Sequence, residues 1–174
     1  MSGLPTQFQI DYVEGALVAL LKSVMPTAYG SAEAPVLVGI DTVNSKDFNA
    51  QGQLAMKPPS MRVQFGEASF SNLRDNQRLT YESAVDFDVL CFESSQRGKA
   101  DERLQTLRLV DAALNQLAGA RLALADGTST MPLELKRVSL VIPDDGGPVD
   151  QLFAITVQVK GIAQFNGPNA RFGS

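Results

Sequence analysis

The chain has 174 residues, with 15 basic and 19 acidic side chains, no histidine, no tryptophan and one cysteine. Its 44% apolar and 20% charged content describes a globular protein, not a disordered or fibrous one, and one domain of this length buries roughly 70% of the surface of its unfolded chain. Without histidine it lacks the side chain most used for acid–base work near neutral pH and the commonest metal ligand, and a net charge of -4 argues against a general electrostatic footprint for nucleic acid.

Met1 to Gln9 holds no basic stretch followed by an apolar one, and no apolar run is long enough to span a bilayer. The expectation is a single domain over residues 1–174, made and used in the cytoplasm or in something assembled there.

Thr6 and Gln9 have the spacing of a capping box, so a helix should follow. Ile10, Val13, Leu17, Leu20, Leu21 and Val24 recur at three- and four-residue steps and form one apolar stripe, which Pro26 is expected to stop. Pro35 to Ile40 reads as a short strand. Asn44 to Ser60, with Gly52, two lysines and the Pro58-Pro59 pair, reads as a long excursion. Met61, Val63 and Phe65 alternate with Arg62 and Gln64 as in a half-buried strand, and Gly66 offers a bend. A polar connection runs from Ser71 to Arg78.

The clearest strand is Leu79 to Phe92, where Leu79, Tyr81, Val85, Phe87, Val89 and Cys91 share one side with Ser83. Its other side changes from Thr80, Glu82, Asp86 and Asp88 to Leu90 and Phe92, so it should pass from a wet face to a covered one. A second helix is predicted from about Ala100 to Ala118, with Leu104, Leu107, Val110, Leu114 and Leu117 inward, Arg103, Arg108 and Gln116 largely opposite, and Gly119 as its cap. Leu122 to Leu124 suggests a short strand before the Asp126-Gly127 turn. Val138, Leu140 and Ile142 alternate in one strand and Phe153, Ile155, Val157 and Val159 in another, joined at Asp144 to Pro148 as a hairpin. The tail from Asn166 to Ser174 should be mobile in an isolated subunit. The order helix, strands, helix, hairpin predicts an α+β domain: an antiparallel or mixed sheet with two main helices packed on one face.

Candidate chemistry is sparse. Asp86 and Asp88 share a strand face, but two-residue spacing without histidine reads as a solvated face. Asp144, Asp145 and Asp150 lack the spacing of a calcium loop, and Gly146-Gly147 belongs to no phosphate-binding pattern. Cys91, on the apolar row, reads as a structural thiol with no base to activate it; as the only cysteine it forms neither an intrachain disulfide nor a zinc cage. Arg97, Lys99 and Arg103 cluster where a helix dipole disfavours positive charge, which marks either a solvated helix start or a partner contact. The expectation is a non-enzyme with no catalytic, cofactor-binding or metal-binding residue and no cofactor.

The arrangement resembles the tail terminator, or tail completion, proteins of tailed phages, particularly those of Mu-like contractile phages and prophages. The resemblance lies in the amphipathic helix Ile10 to Val24, the excursion before Met61 to Phe65, the strand Tyr81 to Phe92, the helix Leu104 to Leu117 and the closing hairpin, and it covers most of the chain. It implies a homo-oligomeric ring, usually a hexamer, at the head-proximal end of the virion tail. Such a ring caps the tail tube, ends its polymerisation and offers its other face for head attachment. The implied partners are further copies of the chain, the tail tube protein, and sheath and head-completion or neck proteins, with phage DNA passing through without sequence-specific binding and no membrane involved. Assembly would take place in the host bacterial cytoplasm. Another neck, connector or baseplate structural protein is the alternative; an enzyme would need a concave polar site, which the sequence does not offer.

Overall fold

The computed structural model describes residues 9–29, 39–48, 50, 59–72, 80–93, 99–125, 127–141 and 151–164. Its first element, α1, runs from Ile10 to Tyr29. Val13, Leu17, Val18, Leu21 and Met25 are its buried residues, with Ile10, Leu20 and Val24 at the margin of the same stripe. Pro26 does not stop this helix, contrary to expectation. A proline removes one N–H and crowds the preceding turn, but here Met25 is fully buried just before it and the Tyr29 hydroxyl donates to Glu93 Oε2 at 2.7 Å. Those contacts hold the last turn. Thr6, half of the predicted capping box, lies outside the described residues.

The strands are β1 (Gly39–Thr42), β2 (Ser60–Asn72), β3 (Thr80–Glu93), β4 (Glu134–Leu140) and β5 (Gln151–Gln164). They form one sheet in the order β1-β2-β3-β5-β4. β1 is parallel to β2 and every other pairing is antiparallel, so the sheet is mixed and the fold is α+β. The strand expected at 35–40 is met by β1 at Gly39 and Ile40 and runs on to Thr42, with 35–38 outside the described residues. Of the excursion, Asn44 caps a short 3-10 turn at Ser45–Asp47 and Ser60 already belongs to β2. The bend at Gly66 is a β-bulge between Phe65 and Glu67. A Cβ there would meet the Asp86 carbonyl oxygen at 3.1 Å, which explains the glycine.

Directly opposite residues point to the same side, so the register sorts the sheet into two faces. One face holds Met61 and Val63 of β2, Val85, Phe87, Val89 and Cys91 of β3, and Phe153, Ile155, Val157 and Val159 of β5. These pack with α1 and with α2 (Lys99–Leu117), so both helices lie on one side, as predicted. The opposite face has a small apolar cluster, Leu90, Phe92, Leu152 and Ala154 with Val43 against it. β3 therefore does pass from a polar face to a covered one.

α2 buries a stripe that overlaps the predicted one only in part: Val110 and Leu117 are inward as expected. Leu104 is exposed and Leu107 and Leu114 only partly buried, whereas Thr106, Leu109, Val110, Ala113 and Leu117 face inward. The stripe is turned by roughly a quarter of the circumference. Small Thr106 and Ala113 let the helix approach closely, and the larger leucines flank the contact. Gly119 ends the helix at φ 70, where a left-handed residue is needed. The short strand expected at Leu122–Leu124 is a single bridge, Ala123 to Ser129, closed by Gly127 at φ 82. β4 and β5 pair antiparallel as expected; their predicted turn at 144–148, Ile142 and the tail 166–174 lie outside the described residues.

Candidate interaction surfaces

The helix-free face of the sheet carries the polar side chains in cross-strand rows. Arg137 Nε donates to Thr156 Oγ1 at 3.3 Å, and that hydroxyl donates to Asp88 Oδ1 at 2.6 Å. In the next row Gln158 Nε2 donates to Asp86 Oδ1 at 2.9 Å. Asp86 and Asp88 share this face, as predicted. Each is engaged by its own neighbour, and they stand two residues apart, roughly 7 Å along the strand. This is a hydrogen-bonded surface, with no shared proton or ion cradle between the two carboxylates.

Glu134 sits between Lys160, 2.6 Å away, and Lys136, 3.2 Å away. These ammonium groups hold its carboxyl below the usual range. Glu14 on α1 moves the other way, raised by desolvation and then by Asp11. Cys91 is fully buried with only a 3.8 Å contact to the Val89 carbonyl, and burial pushes its thiol up to about 12. Almost no thiolate exists at neutral pH, so this cysteine is chemically quiet. Among the described residues no group of three or more Cys, Asp or Glu is placed to hold a metal ion. Asp144, Asp145, Asp150, Gly146, Gly147 and Arg97 lie outside them, as does the Lys99 side chain, while Arg103 is exposed on α2.

The base of the excursion is fastened to the sheet. Arg62 Nε meets Asp47 Oδ1 at 2.9 Å, with side chains only 14% and 6% exposed. Arg62 Nη1 also donates to the Gly39 and Met61 carbonyls. Asp47 Oδ2 accepts from the Asn44 N–H while the Asn44 side chain caps the turn at Lys46. A hollow of about 340 Å³ opens on the sheet among Ser69, Glu82, Ala84, Met131, Lys160 and Ile162. Its charged groups are Glu82 and Lys160, the latter already paired with Glu134, and Ser69 at its wall donates to the Ala84 carbonyl.

What remains conspicuous is apolar surface at the sheet's margins: Phe65 on β2, and Leu135, Val138 and Leu140 on β4, all exposed. Sequence reading put Phe65, Val138 and Leu140 on inward rows and singled out neither Glu67 nor the Lys136-Arg137 pair beside them. The one available signal was two adjacent cations inside an otherwise alternating strand, a device of sheet edges.

No protein-family model matches the sequence, and no curated protein matches it either. Among solved structures the fold is shared with a chain of the virion of a native gene transfer agent particle. The two agree with a TM-score of 0.54 over 89% of this chain and 98% of that one, at 14% sequence identity. The likeness is one of fold, and it extends over nearly the whole of both chains.

Proposed function

We propose that this chain is a structural protein of a tailed phage or phage-like particle, and within that class a tail terminator subunit. Support for the class comes from a fold shared, over 89% of this chain, with a chain of a gene transfer agent virion. Polar groups tied to one another and apolar groups left at the margins suit a protein that works by contact and not by catalysis. The finer role rests on the order of elements. In this reading copies of the chain close into a ring, most simply a hexamer, that caps the tail tube at its head-proximal end. The ring meets the tube protein on one side and neck or sheath components on the other, and lets DNA pass without reading it.

A ring matches a tube of the same symmetry, and contacts repeated around it add, so weak single-subunit binding suffices to hold a tube end. The test is to polymerise the cognate tube protein with and without this chain. Shorter tubes bearing a cap of density at one end are expected. An unchanged length distribution with bare ends removes the terminator role and leaves a neck, connector or baseplate role to be sought.

A further inference from the structure

Among the described residues the sheet is left open on both sides. β1 lies against β2 only from Ser60 to Val63, so no described strand flanks the outer side of Gln64 to Ser69, and β4 ends the sheet at the other side. Three successive antiparallel pairings make β4 run opposite to β2. A copy placed beside β4 in the same orientation would therefore present its β2 in antiparallel sense, continuing the alternation.

The faces match as well. Phe65 lies opposite Phe87 and touches it edge-on, with ring centroids 6.2 Å apart, which places it on the helix-bearing side. Leu135, Val138 and Leu140 lie opposite Val157, Ile155 and Phe153 on that same side. Each is left 38–44% exposed at its edge. On the polar side Glu67 stands directly opposite Asp86, a like-charge neighbour, and has no cationic partner among the described residues. β4 carries Lys136 and Arg137. Cations on an edge strand discourage indiscriminate pairing and favour an edge that offers a carboxylate.

From this we infer that the outer edge of β2 in one copy, Gln64 to Ser69, receives β4 of the next copy, so that the sheets run on from subunit to subunit. The inference rests on the ring reading above and names the surfaces that make the ring. The two edges differ, so the contact is head-to-tail and each subunit uses both, as a closed ring requires.

The purified full chain should first be examined by electron microscopy and mass measurement, alone and with tube ends. Glu67→Cys with Arg137→Cys in one chain, treated with a short bismaleimide, should then give a ladder up to the full ring. Either substitution alone should give none, and a mixture of the two single variants only dimers; buried Cys91 stays silent. Ser69→Cys with Lys136→Cys serves as a second pair. Glu67→Lys, at an exposed position, should raise the concentration for half-assembly about tenfold without lowering monomer melting, since lysine would face Asp86. Rings that form but cross-link through neither pair overturn this edge assignment and leave the ring reading standing. A chain that stays monomeric even beside tube ends overturns both, and cross-links to the tube protein in place of a second copy give the edge to another occupant.

Discussion

β4 and β5 are neighbouring strands that each set an apolar row on the helix side, β4 with a shift of register between Leu135 and Arg137, yet they differ in what covers them. In β5 the helix-side row, Phe153, Ile155, Val157 and Val159, is buried on the side where α2 packs. In β4 the corresponding row, Leu135, Val138 and Leu140, is exposed. Alternation states which way a side chain points; coverage depends on a second layer, which here stops one strand short. The covered row supports the fold of the subunit, and the uncovered one is free to support assembly.

Substitutions that separate these roles test the contrast. Phe87→Ala, at the fully buried centre of the covered face, should cost about 3–5 kcal/mol in denaturant unfolding; a loss under about 1 kcal/mol would mean that the centre is no better covered than the edge. Asp47→Ala should cost about 2–3 kcal/mol, since it strips a nearly buried guanidinium of its carboxylate while Arg62 keeps two carbonyl partners. An unchanged urea midpoint would show the clamp to be ornamental.

Tyr29→Phe should cost about 1 kcal/mol at neutral pH by removing the bond to Glu93. Burial first, then that hydrogen bond, holds the Tyr29 phenol above its ordinary value of 10.0. Below pH 10 both folded and unfolded chains keep the proton and this contribution is fully present. Above pH 10 the unfolded chain releases the proton first, so wild-type stability falls with rising pH. The gap between wild type and Tyr29→Phe should therefore narrow in alkaline melts, and a gap that widens would contradict the assigned shift. The smallest effect is expected at the edge: Val138→Ala should leave the monomer within about 0.5 kcal/mol while weakening assembly. A cost comparable to Phe87→Ala would erase the distinction between the two rows.

The sheet was largely legible in the sequence because period-two patterns in β3 and β5 are long and unbroken. α2 was less so. Its apolar residues occupy more than one stripe, of which the leucines form the more hydrophobic; the helix seats itself instead with Thr106 and Ala113 inward, whose smallness matters only once a neighbour is present. Pro26 was misread for a related reason. A breaker in the last turn forfeits little, and the compensation comes from Glu93, 64 residues away. For the surfaces, the polar rows around Asp86 and Asp88 followed from alternation, but their engagement by Gln158 and Thr156 depends on strand order. In β4 the apolar spacing alone does not distinguish an uncovered row from a covered one, and the adjacent Lys136 and Arg137 are its one mark of an edge.

Gly66 carries one more consequence. The extra residue of the bulge acts as a phase shift in β2: Met61, Val63 and Phe65 point toward the helices at odd positions, and beyond the bulge Ala68 does so at an even one. Removing residue 66 would make Phe65 and Glu67 consecutive, opposite the consecutive Phe87 and Asp86, so both halves of the strand would keep their pairing with β3 and their facing. What Gly66 supplies is therefore a local bend and added twist at the middle of an edge strand, and its loss would straighten the outer edge of β2 without reversing which way its side chains face.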